Sequence, residues 1–207
     1  MKEEQDYIRD IAEIRSMMER SSKFLSLSGL AGIMAGVYAL AGAWVAHVYL
    51  GFKPDGVGDS AVYNGQYSNL PQLMLLAVVV LILAIGTAVF LSAKKAQKRG
   101  EKAWNTTSKR MVAHMSVPLV AGGILISVFI VKGLLILIAP LSLLFYGLAL
   151  YNASKFSYED VKFLGMIQMG LGLLGTWYTG YGLLFWAIGF GVVHIVYGIY
   201  MHLRYER

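Results

Sequence analysis

The chain has 207 residues, 57% hydrophobic and only 14% charged, with a mean hydropathy of +0.59 and a formal net charge of +6. Soluble domains run at about 45–50% apolar and ~25% charged, so this composition excludes an ordinary soluble fold. There is no cysteine, which excludes disulfides, thiolate metal sites and a cysteine nucleophile.

Residues 1–24 read as one polar amphipathic helix on the cytoplasmic side. Tyr7, Ile11, Ile14, Met18 and Leu25 recur at spacings of four, three, four and seven, an a/d-type seam. Arg9 with Glu13, Arg15 with Glu19, and Glu19 with Lys23 stand four apart and support the helix from its wet face. Five basic charges against six acidic ones distinguish it from the strongly basic helices that bind lipid headgroups. Tyr7, Ile11, Ile14 and Met18 are therefore the candidates for docking on protein, either on the chain's own bundle or on a cytoplasmic partner or second copy. This segment is long and mixed in charge, so no cleavable signal is expected.

Residues 25–207 read as an all-α transmembrane domain. Six stretches lack Asp, Glu, Lys and Arg: 25–50, 71–92, 111–131, 134–151, 163–177 and 182–201. About 20 apolar residues cross a hydrocarbon core, and helices satisfy their own backbone in lipid, so each is predicted to span. Asn64-Gly65 signals a hairpin turn in the loop between the first two spans. Pro118 and Pro140 are predicted to bend spans three and four. Spans two, four and six end on related strings, Ile85-Gly86-Thr87, Tyr146-Gly147-Leu148 and Tyr197-Gly198-Ile199, each followed by a basic residue. This suggests three successive helical hairpins. Ser28, Gly32 and Gly36 line one stripe of span one, and Gly191 with Gly198 lines another on span six. Small residues at such spacings let helices approach closely in lipid.

Charge orients the chain. Lys2, Arg9, Arg15, Arg20 and Lys23 precede span one, and Lys94, Lys95, Lys98, Arg99, Lys102, Lys109 and Arg110 follow span two. Lys155 and Lys162 follow span four, and Arg204 and Arg207 follow span six. These 16 of 18 basic residues share one side of a six-span chain, leaving Lys53 and Lys132 opposite. The positive-inside rule then predicts that both termini are cytoplasmic, in a bacterial inner membrane. A nucleic-acid partner is not expected, because the basic loop abuts a span and holds a single aromatic, Trp104.

The string Ser22-Lys23-Phe24-Leu25-Ser26-Leu27-Ser28-Gly29-Leu30-Ala31-Gly32, entering span one from a charged helix, resembles a recurring type of small uncharacterised six-helix bacterial membrane protein. The glycine-rich texture of residues 182–200 is similar to the helical hairpins of the acid-resistance membrane protein family. Neither resemblance implies a catalytic or binding residue.

No hydrolase, kinase, P-loop or metalloprotease motif is present, and all 12 acidic residues lie in loops or tails, which argues against an enzyme or an ion-coupled transporter. No cofactor is expected. His194, mid-span, with Gln168 on span five as its polar partner, is the leading ligand or polar-path candidate. His47 with Trp177, Tyr178 and Tyr181 marks an aromatic outer rim that would suit a small apolar or cationic ligand, or simply an interfacial anchor. His114 and His202 are at matching depth and are the one pair that would serve a b-type haem. The expected function is a non-enzymatic interaction or regulatory protein that senses the membrane or an outer-face ligand. A passive facilitator for a small solute and a haem protein are the alternatives.

Overall fold

A computed structural model describes Ile11 and residues 23–52, 69–100 and 102–206. Six long helices account for most of these residues, and no strand occurs among them. They are α1 (Gly29–Val48), α2 (Leu70–Lys98), α3 (Thr106–Val131), α4 (Ile138–Ala153) and α5 (Asp160–Trp177). The sixth, α6, is continuous through Gly182–Trp186, a wide π-helical segment Ala187–Val193, and His194–Tyr205. Five stretches are long and apolar enough to cross a membrane: Gly29–Val48, Leu70–Lys98, Thr106–Val131, Leu135–Phe156 and Thr179–Tyr205. These are the features of a multi-pass helical membrane protein. Helix α5 is the shortest of the apolar set predicted from sequence, and its first turn brings in Asp160 and Lys162.

Local chemistry sets the helix ends. Asn105 starts α3 through a reciprocal capping box: its Oδ1 accepts from the Ser108 amide at 2.8 Å, and the Ser108 hydroxyl accepts from the Asn105 amide at 2.9 Å. Gly133, with φ of 72°, carries the chain out of α3 in a left-handed conformation that favours glycine. Pro140 falls in the first turn of α4, where its missing N–H interrupts no helical bond, so it begins that helix instead of bending its middle.

Span one begins later than its apolar run. Residues 24–28 are not helical; they form an extended strap, and Leu25 therefore does not continue the N-terminal seam on a helix. Of that seam, Ile11 is helical and 66% exposed, whereas Tyr7, Ile14 and Met18 lie outside the described residues. Asn64-Gly65 also lies outside them.

Glycine decides which helices touch. A Cβ on Gly29 would come within 2.5 Å of the Gly198 carbonyl, and one on Gly36 within 2.6 Å of the Gly191 carbonyl, so α1 and α6 meet backbone to backbone. Helices α4 and α5 meet likewise, with Gly147 against the Gly165 carbonyl (2.7 Å) and Gly172 against the Pro140 carbonyl (2.8 Å). The closest pairings are thus α1–α6 and α4–α5, both of which run across the expected hairpins. Gly86 has no neighbour within 4 Å, so the small residue of the first repeat string does a different job from Gly147 and Gly198. Helix α2 packs along α1, with Val80 against Gly42 and Tyr38 bonded to Thr87 at 3.2 Å. Only Ser92 and Ala96 of its 29 residues are buried.

The strap, the ends of α2 and α6, and the α4–α5 connection converge at one end of the bundle. Phe24 packs with Met111 and Ala153, while Leu25 and Leu27 pack beside Tyr158, Val161, Leu164 and Met201. Lys23 pairs with Glu159 at 3.2 Å, and Asp160 accepts from Tyr205 at 2.6 Å. Lys94, Lys95, Lys98 and Arg99 end α2 at this same basic end. At the opposite end the Asn69 amide side chain donates to the Leu50 carbonyl at 3.2 Å.

Candidate functional site

The sequence expectation that His194 and Gln168 meet is matched by the geometry. Gln168 projects from the middle of α5 and is 0% exposed; His194 follows the π segment of α6 and is 5% exposed. The third member is Gly189, five residues before His194 in the wide turn. Its carbonyl accepts from Gln168 Nε2 at 2.7 Å and from His194 Nδ1 at 2.8 Å. A carbonyl only accepts, so Nδ1 carries the proton, and the imidazole is the tautomer whose Nε2 is free to accept. The Tyr146 hydroxyl of α4 donates to that Nε2 at 3.0 Å. The 3.3 Å approach of Gln168 Nε2 to His194 Nδ1 then sets two donors side by side, both aimed at the shared carbonyl.

Local structure makes this possible. π-helical pairing widens the turn by one residue, and such turns recur at functional sites. A Cβ on Gly189 would sit 2.6 Å from Gln168 Oε1 and 2.5 Å from Leu143 Cδ2, so glycine is required for the amide to fit. Phe190 closes the side facing the opposite end, stacking on His194 at 5.8 Å and tilting against Tyr146 at 5.0 Å. Among the described residues two buried side-chain atoms have no hydrogen-bond partner: Gln168 Oε1 and the Tyr197 hydroxyl. The cluster therefore joins three helices through four polar groups and leaves one acceptor over.

The other candidates are placed differently. His47 is exposed near the end of α1, where Trp44 meets Tyr49 edge-on at 5.3 Å. Trp177, Tyr178 and Tyr181 are each more than half exposed, an outward-facing rim at the same end. His114 stacks on Phe156 at 4.8 Å, while His202 Nδ1 pairs with Glu206 at 2.6 Å, so these two histidines serve separate partners. Among the described residues no three His, Asp or Glu side chains converge as metal ligands. A shallow open groove past Gly123, Ser127 and Lys132 runs along α3 and shares no residue with the polar cluster.

Sequence reasoning missed Tyr146, Gly189 as an acceptor, and Glu206. A tyrosine in an otherwise apolar span needs a partner for its hydroxyl, and that was the available signal for Tyr146. For Glu206 the one local signal was His202 four residues before it; its other partners lie 111 and 177 residues away in the chain.

No protein-family model, curated protein or solved structure matches this chain.

Proposed function

We propose that this is a non-enzymatic regulatory or interaction protein of a bacterial cytoplasmic membrane, with six spans and the basic end, including both termini, in the cytoplasm. Its output is residues 1–24, docking on a protein surface through Tyr7, Ile11, Ile14 and Met18. The observation that carries this reading is the strap. The chain leading out of that segment is not a loose linker but is tied into the bundle by its main chain. Phe24 donates its amide to the Phe156 carbonyl at 2.6 Å, its own carbonyl accepts from Ser157, and the Leu25 carbonyl accepts from both Arg99 and Tyr158. A change in the bundle therefore has a mechanical route to the N-terminal segment. Crosslinking from position 14 in native membranes tests this: protein adducts that vanish when Ile11, Ile14 and Met18 are all serine support it. Lipid adducts alone, unchanged by that variant, overturn it.

One atom favours a second reading, passive passage of a small polar solute. Gln168 Oε1 is buried and unsatisfied, and such an acceptor would suit a transient guest. Solute-driven swelling of proteoliposomes that is abolished by Gln168→Leu would favour this reading over the first.

A further inference from the structure

The start of α1 and the end of α6 meet at a single carboxylate. Glu206, just past α6, accepts from the Gly29 amide at 2.8 Å, from Lys95 Nζ at 2.9 Å and from His202 Nδ1 at 2.6 Å. Gly29 is the first residue of α1, and Ser28 makes no side-chain cap there, so Glu206 supplies the helix's N-terminal anion from a distant part of the sequence. Lys95 uses a second proton to hold the Leu27 carbonyl at 2.5 Å. One ion pair thus fastens the strap, α1, α2 and α6 together. Its side chains are only 12% and 11% exposed, so water screens it weakly.

The cation of this pair belongs to the helix least held by protein. The most apolar window of α2 is 0% buried, and residues 70–93 carry no charge. At 1.5 Å per residue that run is roughly 36 Å long, against roughly 30 Å for the 20 residues of α1 beside it. An over-long apolar helix tilts in a thinner bilayer, and α2 has few contacts to resist the tilt. Tilting moves Lys95, at the far end of the lever, away from Glu206.

We propose that Lys95 and Glu206 form a bilayer-coupled latch: tilting of α2 in a thinned membrane withdraws Lys95 and its hold on the Leu27 carbonyl, and the strap loosens around Ser26 while Phe24 stays tied to the α4–α5 connection. The latch rests on the membrane reading above, but not on what residues 1–24 dock against. Ser26, 0% exposed within the strap, reports its state.

The chain lacks cysteine, so Ser26→Cys in the full-length protein gives one site for an impermeant maleimide. Reconstituted in long-chain dierucoyl phosphatidylcholine vesicles, this cysteine should label slowly. In short-chain dimyristoleoyl vesicles it should label several-fold faster. Adding Glu206→Gln should raise the rate roughly tenfold or more in the long-chain vesicles, because bonds to a charged acceptor are lost, and should remove the dependence on chain length. Equal rates in the two lipids, or a rate that ignores Glu206→Gln in a helical, monodisperse protein, would overturn the latch. If the Gln variant fails to fold, the lipid comparison on the Glu206 protein decides alone. Crosslinking at position 14 reads the docking partner independently, so failure of one is distinguishable from failure of the other.

Discussion

At the scale of single residues, two glycine substitutions separate packing from propensity. Gly189→Ala drives a methyl into Gln168 Oε1 and Leu143, so it should lower stability by about 1–3 kcal/mol. Gly170→Ala, two residues from Gln168 on another face of α5 and with nothing within 4 Å, should be neutral or slightly stabilising through helix propensity. Thermal unfolding in detergent reads both, and equal melting temperatures would mean that the amide does not occupy this niche. Tyr146→Phe removes one interhelical bond, and such bonds average about 0.6 kcal/mol in membranes, so a small shift is expected. Glu206 is a pH marker. Burial alone would raise its carboxyl, but bonds from His202, Lys95 and the Gly29 amide outweigh this and hold it at about 2, below the ordinary 4.5. A depressed carboxyl adds stability that is complete above its unfolded value and fades as pH falls toward the folded one. The difference in melting temperature between the protein and its Glu206→Gln variant should therefore be flat from neutral pH to about 5 and should shrink only below the ordinary carboxyl range. The pairing of His194 with Gln168 was legible because ionisable and amide groups are rare inside apolar spans and must find each other. The particular partners of Tyr146, and those of Glu206 other than His202, were not, since only the folded chain brings them near.

At the scale of elements, the apolar runs show where helices lie, and their glycines show which faces touch. Gly36 was singled out from its stripe, and its missing side chain is what admits the Gly191 carbonyl. Gly36→Leu should abolish the detergent-stable folded form, whereas Gly86→Leu on the open face of α2 should leave it intact, as size-exclusion profiles would show. Equal tolerance would remove the α1–α6 contact as the organising seam. Leu40 packs into the space left by Gly191, so it belongs to the same seam. The strap was not legible. Phe24 to Ser28 belong to the charge-free run, and Ser28 at the N-cap of α1 is the one local sign of where the helix begins. Side chains from the end of α2 and from the α4–α5 connection claim the strap's carbonyls, and this tertiary competition turns it into extended chain. The π segment was equally hidden, because a wide turn has no composition of its own. The repeat strings did not reveal the closest contacts: α1 packs along α2 and α3 along α4, but the glycine faces also join α1 to α6 and α4 to α5.

At the scale of the whole molecule, the fold brings the basic segments together. Lys23, Lys95, Arg99, Lys155, Lys162 and Arg204 come from segments far apart in sequence, and the fold gathers those segments at one end. Lys132 stands exposed at the other end, just past α3. The proposed regulation depends on this arrangement, since the strap and residues 1–24 can meet a cytoplasmic partner only if the basic end faces the cytoplasm. The most direct measurement is single-cysteine labelling in intact spheroplasts with an impermeant reagent. Gln97, exposed at the end of α2, and Lys132 are the sites to use, because Ser108 is buried in the cap of α3. The account predicts that Lys132→Cys labels in intact cells and that Gln97→Cys labels only after lysis. Labelling of Gln97→Cys from outside, with Lys132→Cys protected, would contradict it.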